Sequence, residues 1–298
     1  MRSFLGLFAA TAIWSAAPAL SADNGRTAPS ASRRPYLRVL PPIPRQGGVI
    51  LVRLEASFPG AEATCDWLGK SYPCFPVASG ARALLPVGLE TRPGLHLLRV
   101  ETQGRGGLPI VRQARVRIAP GSFGVQHLRL EAAQEALYSD PEVTREYRLI
   151  REAFAKSSPE QFWRGNFLRP VKGRVTTSFG LKRYVNRQLR YRHRGLDLSA
   201  PEGTPVLAAN AGRVALAAED FKLHGKTILL DHGQGVSTLY LHLSEIAVRE
   251  GEEIARGQVI ARVGATGVAT GPHLHFGAYL HGAAVDPLFF GSLPAGAR

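Results

Sequence analysis

Cysteine is scarce in this chain of 298 residues: Cys65 and Cys74 are the only two. Neither their spacing nor their neighbours mark them as metal ligands. An even pair close in sequence reads as a small disulfide loop in an oxidising compartment, or as two reduced buried thiols otherwise. Acidic residues are also few, 23 against 37 Lys and Arg, which leaves a formal net charge of +14. So basic a chain concentrates at polyanions, whether nucleic acids, anionic membranes or acidic polymers, and charge alone does not choose among them. No recognisable nucleic-acid module accompanies the charge. Beyond the first residues no apolar run approaches the ~20 needed to span a bilayer, so no transmembrane segment is expected in the mature chain. Gly264, Gly267 and Gly271 do not form a phosphate-binding loop; they suit tight turns or close approach of an extended peptide.

What is present begins with an export signal. Met1-Arg2 is a short positive start, Phe4 to Ala19 is apolar and uncharged, and Ala19-Leu20-Ser21 offers the small-x-small pattern of a cleavage site. Residues 1–22 are therefore expected to be a signal peptide, and 23–35, rich in Ser, Ala and Arg, a mobile leader. No Cys stands beside the cleavage site for lipidation. From 36 to 120 short β runs (Val49 to Leu54, Ala81 to Leu85, Leu95 to Glu101, Arg112 to Ile118) alternate with Gly and Pro clusters, which predicts a small β-sandwich domain. Residues 121–166 read as a helical connector. Asp140-Pro141 caps a helix over 141–156 with Val143, Tyr147, Ile150 and Phe154 on one face, and Ser158 to Gln161 offers a capping box for a second. Residues 167–291 return to Gly-bounded strands and predict an antiparallel β-sheet domain, with 292–298 as a tail. The fold class is mainly β.

Seven of the nine histidines follow residue 190. His273 and His275 alternate in Gly271-Pro272-His273-Leu274-His275-Phe276-Gly277, and in a strand such a pair faces one side. His193 and Asp197 stand four apart in His193-Arg194-Gly195-Leu196-Asp197, where Gly195 and Pro201 argue against a helix. Two imidazoles and one carboxylate are the protein donors of many catalytic zinc sites, with a fourth position left for water. In Thr238-Leu239-Tyr240-Leu241-His242-Leu243, alternation places Thr238, Tyr240 and His242 on one polar face. No glutamate stands beside the candidate ligands as in H-E-x-x-H, so proton transfer falls to another group, and histidine has the suitable pKa. His232, within Asp231 to Gly235, reads as a turn residue of a hairpin. His96, His127, His224 and His281 read as structural or solvated.

These elements, H-x-x-x-D, Y-x-H-L and G-P-H-L-H in this order over roughly residues 168 to 290, resemble the lysostaphin-type (M23) zinc endopeptidases of bacterial cell walls. The resemblance implies one zinc per chain on His193, Asp197 and His275, with His242 and His273 as catalytic histidines. It further implies a water activated on zinc that attacks a peptide carbonyl in peptidoglycan. Tyr191 and Tyr240 are candidates to bind substrate or donate to the oxyanion, or to serve simply in packing. Lys182, Arg183, Arg187, Arg190 and Arg192 either hold the carboxylates of peptidoglycan stem peptides or form a solvated basic loop. The signal peptide places such an enzyme in the periplasm, acting on directly cross-linked stems. The alternative is a non-catalytic, peptidoglycan-binding activator of a cell-wall amidase.

Overall fold

In the computed structural model the described residues are 35–293, apart from 56–61, 105–106, 130 and 132–134. The expected signal peptide, nearly all of the leader and most of the tail lie outside them. Among the described residues no helix is long and apolar enough to cross a membrane.

The first seven strands are β1 (Tyr36–Leu40), β2 (Val49–Glu55), β3 (Ala63–Trp67), β4 (Lys70–Val77), β5 (Gly80–Pro86), β6 (Gly94–Gln103) and β7 (Pro109–Ile118). They form an antiparallel sheet in the order β1-β2-β5-β4-β3-β6-β7 that folds back until β1 touches β7. Alternation works in β7 as read: Val116 and Ile118 are buried and Arg115 and Arg117 exposed. It fails in β5, which is buried along its whole length. Ala81, Ala83 and Leu85 fill the inside of the folded sheet together with Ile50, Trp67, Leu98 and Val100. Leu84, with Val49 and Leu51 of β2, faces the other way and joins the core of the following domain. Two neighbours, one on each face, make a strand read as a continuous apolar run.

The connector is only partly helical. Residues Val125–Leu128 form strand β8, and α1 runs over Pro141–Ala155 with Asp140 as N-cap, its carboxylate accepting from the Glu142 amide at 2.8 Å. Ser158 starts no second helix. Its hydroxyl accepts from the Glu160 amide at 3.1 Å in a local turn, and its own amide donates to the Asp231 carboxylate at 2.8 Å. Gln161, which would close the capping box, instead donates to the Trp163 carbonyl and accepts from the Arg82 guanidinium. Tertiary partners take up the groups a helix start would need.

Ten strands make the second sheet: β9 (Arg174–Thr177), β12 (Leu196–Ser199), β13 (Pro205–Leu207), β14 (Gly212–Ala218), β15 (Lys226–Gly233), β16 (Val236–Ile246), β17 (Glu253–Ile254), β18 (Val259–Val263), β19 (His273–Leu280) and β20 (Ala283–Val285). The main path is β17-β14-β15-β16-β19-β12-β9, with every pairing antiparallel. A two-residue turn with Gln234 and Gly235 at φ 54° and 77° joins β15 to β16, the left-handed pair a tight hairpin prefers. His232 is not part of that turn: it lies in β15, fully buried, with Nδ1 on the Ala211 carbonyl at 2.7 Å and Nε2 on the Thr238 hydroxyl at 2.7 Å. One face of the sheet packs Leu198, Leu230, Tyr240, Leu274 and Phe276 against the first domain. On the other, Leu229, Leu239, Leu241 and Tyr279 pack beneath Ile150 and Ala153 of α1.

A small third sheet stands beside the second. β10 (Lys182–Val185) and β11 (Gln188–Arg192) form a hairpin through Asn186 and Arg187, and β8 pairs with β10 in parallel, bringing the connector alongside the region before His193.

Candidate metal centre

Asp197 on β12 and His275 on β19 are direct cross-strand partners, which sets both side chains on one face of the sheet. His193 arrives from the coil between β11 and β12, its backbone tied to the chain before β10 by Gly180 N–H to His193 C=O at 2.8 Å and His193 N–H to Leu181 C=O at 2.8 Å. The turn between His193 and Asp197 needs Gly195, because a Cβ there would stand 2.6 Å from the Phe276 carbonyl oxygen and 2.7 Å from Nε2 of His275.

Three donor atoms then meet. His193 Nε2 lies 2.9 Å from Asp197 Oδ1 and 2.9 Å from His275 Nδ1, and His275 Nδ1 lies 3.0 Å from the same Oδ1. All three residues are buried. His193 Nδ1–H donates to the Ser178 carbonyl at 3.0 Å, so with a neutral ring Nε2 presents a lone pair. Two imidazole lone pairs and a carboxylate oxygen cannot satisfy one another with at most one proton among them. A cation satisfies all three, and a nitrogen, nitrogen, oxygen set is the composition zinc accepts. Burial alone would raise the Asp197 carboxyl, but its bonds to His193 and His275 outweigh that and hold it well below the usual carboxylate range. Burial is the main reason the His275 imidazole is pushed down to about 4. The carboxylate is thus kept ionised and the ring unprotonated, the forms that ligate. Among the described residues this is the one cluster of three such side chains with donor atoms all within 4.8 Å.

Asp197 has a second oxygen, and Arg183 of β10 holds it: Nη2 lies 2.9 Å from Oδ2. The same guanidinium donates to Gln126 of β8 at 2.8 Å and to the Tyr191 hydroxyl at 3.3 Å. Such a clamp orients a ligand without occupying its metal-facing atom. Arg183 was legible only as one of five basic residues, and the others sit differently. Arg190 pairs with Glu135, while Arg192 pairs with Glu90 and lies over the Phe123 ring.

His242 and His273 complete the cluster. His242 Nδ1–H donates to the Thr266 carbonyl at 2.9 Å and His273 Nδ1–H to the Gly271 carbonyl at 2.8 Å, so each ring leaves Nε2 uncommitted to the backbone. Their ring centres are 4.9 Å apart, and His273 Nε2 is 3.9 Å from Asp197 Oδ1. Burial, reinforced by His275 and His273, pushes His242 down to about 3. A cleft of about 380 Å³ opens over these groups. Gln126, Leu128, Tyr138, Arg183 and Tyr191 line it together with Val268 to Pro272, Thr177 and Ser199.

The structure separates the two candidate tyrosines. Tyr191 lines the cleft, its hydroxyl near those of Tyr138 and Arg183's guanidinium. Tyr240 does not reach it: the side chain is fully buried on the opposite face, its hydroxyl accepting from the Ala209 amide at 2.9 Å and bonded to Thr238. The expected shared face of Tyr240 and His242 is broken because His242 has φ 63°, a left-handed residue that turns its side chain out of the strand's alternation. Sequence reasoning missed Tyr138 and Gln126 altogether, since nothing local ties a connector residue to a cleft more than fifty positions on.

The profile of Peptidase family M23 matches residues 191–287. A crystal structure of a candidate M23 peptidase from Pseudomonas aeruginosa superposes with a TM-score of 0.63 at 30% identity, covering 86% of this chain and 97% of that one. An uncharacterized metalloprotease of Haemophilus influenzae is 34% identical over 178 residues, 58% of this chain and 33% of the relative. The peptidoglycan DD-endopeptidase ShyA of Vibrio cholerae is 33% identical over 145 residues, 47% of this chain and 30% of the relative. The matches thus span about a third of the length of these curated relatives.

Proposed function

The chain belongs to peptidase family M23, and from that membership we propose that it is a zinc-dependent endopeptidase that hydrolyses peptide cross-links of peptidoglycan. The observation that carries this reading is the convergence of the donor atoms of His193, Asp197 and His275 beside two further imidazoles, with Asp197, His242 and His273 lining one open cleft. His193, Asp197 and His275 hold the metal. Zinc bound there polarises a peptide carbonyl and makes a water acidic enough to act as nucleophile near neutral pH.

The chain's own residues do the rest. An extended peptide lies in the cleft lined by Tyr138, Tyr191 and Val268 to Pro272, its scissile carbonyl beside the donors. His242, buried and held neutral with Nε2 free, accepts the proton of the attacking water. His242 then hands that proton to the departing amine, while His273, nearer the rim, hydrogen-bonds the developing oxyanion when its Nε2 carries a proton. Tyr191 stands where its hydroxyl, already polarised by Arg183, can donate to the same intermediate. Cross-linked stem peptides are the substrate class that suits a basic chain, and ShyA carries the name DD-endopeptidase. The proposed layout is a β domain over 36–120, a connector over 121–166 and the peptidase domain over 167–291, exported to the periplasm after loss of residues 1–22.

The test is direct. The purified full-length chain, incubated with a cross-linked muropeptide dimer, should convert it to monomers, lose that activity on chelation, regain it with zinc, and lose at least about 1,000-fold in a His275→Ala variant. No conversion by the parent chain, or equal conversion by the variant, refutes the reading.

A further inference from the structure

We propose that Glu146, on the connector helix and outside the segment matched by the family profile, is a positioning residue for His242. The inference rests on the role given to His242 above. Glu146 is a carboxylate with 2% exposure on a helix whose other buried positions, Val143, Ile150 and Ala153, are apolar. A buried charge is costly unless every lone pair is used, and here each is. The carboxylate accepts from the backbone amides of Lys222, Leu223 (3.1 Å) and His224 (3.3 Å), and from His224 Nδ1–H at 2.6 Å. Its ring partner is braced in turn by Tyr147 and Phe221.

Those amides belong to the loop between β14 and β15, and that loop is what holds His242. The left-handed bulge at His242 takes its N–H out of the β15–β16 ladder, and the His224 carbonyl accepts it at 3.1 Å. One residue on, Gly225 packs so closely on Thr266 that it has no room for a side chain. Thr266 in turn accepts the Lys226 amide on its hydroxyl at 3.0 Å and the His242 Nδ1–H on its carbonyl at 2.9 Å. The Leu223 carbonyl accepts the Val268 amide at 2.9 Å, which ties the cleft wall to the same loop. The backbone of His242 is therefore anchored directly to the loop that the Glu146 carboxylate binds, and its ring indirectly, through Thr266. The metal donors are not: His193, Asp197 and His275 are set by the β12–β19 ladder, the Ser178 carbonyl and Arg183.

The separation yields a test in the full-length chain. Glu146→Gln keeps size and helix propensity but turns an acceptor-only group into one that presents an NH2 to donors. We expect zinc affinity, measured against a competing chelator, to stay within about 2-fold and KM for a muropeptide dimer within about 2-fold. The turnover number should fall about 10- to 100-fold, with a displaced limb in the pH–kcat profile. In imidazole 15N NMR the His242 nitrogens should shift while those of His193 and His275 hold. Arg148→Ala, on the exposed side of the same helix, should change none of these. The NMR arm keeps the inference separate from the proposed activity: if the parent chain cleaves nothing, the His242 shifts still decide it. Unmoved His242 resonances in Glu146→Gln, or a loss shared equally between KM, zinc affinity and kcat, overturn the positioning role.

Discussion

Gly195→Ala isolates the steric logic of the donor cluster. The backbone at Gly195 is not in a left-handed conformation, so alanine brings no backbone penalty and the whole effect comes from one methyl group. That methyl would stand 2.6 Å from the Phe276 carbonyl oxygen, 2.7 Å from His275 Nε2 and 2.9 Å from His275 Cε1. Ordinary contact lies near 3.5 Å, so something must move by roughly 0.5 to 1 Å. The Phe276 carbonyl belongs to a paired strand; the imidazole, free to turn about χ1 and χ2, yields first. A ring displaced by that much cannot keep its donor at the ~2.0–2.1 Å a zinc–nitrogen bond requires. The expected result is a loss of zinc affinity of about 100-fold, or about 2.8 kcal/mol at 1.4 kcal/mol per tenfold. The metal-free protein should lose only the overpacking cost of about 1–3 kcal/mol. Chelator competition measures the first and denaturant unfolding of the metal-free chain the second. Unchanged zinc affinity in a folded Gly195→Ala protein would refute the claim that this glycine exists to admit the His275 ring.

Arg183→Ala frees Asp197 Oδ2 and should weaken zinc binding about 10- to 100-fold, with Arg183→Lys intermediate because it keeps the charge but not the reach to Gln126 and Tyr191; equal affinity for parent and alanine variant in chelator competition would show the clamp to be idle. His232, which burial pushes down to about 4 from an ordinary 6.5, is neutral in the folded chain, so its contribution is complete above pH 6.5 and is lost as pH falls toward 4, by roughly 3 kcal/mol. His232→Gln should therefore flatten the pH dependence of denaturant stability in that window, and a slope identical to the parent's would contradict it. Cys65 and Cys74 face each other from β3 and β4, Sγ to Sγ 2.6 Å, and the thiol of Cys65 is held protonated chiefly by its bond to Cys74. A mild added oxidant should take two electrons from the pair and link them within the chain, a loss of two hydrogen atoms by mass spectrometry, and raise the unfolding free energy by about 2–3 kcal/mol; free thiols surviving that oxidant would count against this.

The donor set was legible because its chemistry sits in short spacings: His193 with Asp197, His273 with His275, each bounded by Gly or Pro. Strands of the second sheet were legible for a similar reason, since glycines punctuate β14, β15, β16 and β19 and the runs between them are apolar. The β10–β11 hairpin was not. Lys182 to Arg192 carries one fully buried side chain, Val185, so no alternation marks it, and it is held by backbone pairing and by Arg183 among its hydrogen-bond partners. β4 contains Pro73 and Pro76, which argue against a strand, yet it joins the two halves of the first sheet. Tyr240 was misplaced by trusting period-two alternation across a bulge at His242, whose φ of 63° is uncommon for any residue other than glycine and is not announced by the sequence around it.

Under the proposed function, that bulge also explains why metal binding and proton transfer would draw on different parts of the chain. Asp197 and His275 stand on the regular ladder of β12 and β19, and His193 is brought in from the adjoining coil past a glycine that admits the His275 ring, so the geometry of the candidate ligands is encoded in short spacings. A proton-transfer histidine must stand off the ladder to face the same point from another strand, and leaving the ladder costs it the backbone partner a regular strand would supply. The His224 carbonyl restores that partner, the Glu146 carboxylate fixes the loop that carries it, and α1 covers the apolar sheet face from which the bulge departs. Under the proposed mechanism a helix in the connector thereby supports the proton-transfer histidine through the unmet backbone bond of one left-handed residue, a role that would lie outside any pattern readable in the peptidase segment itself.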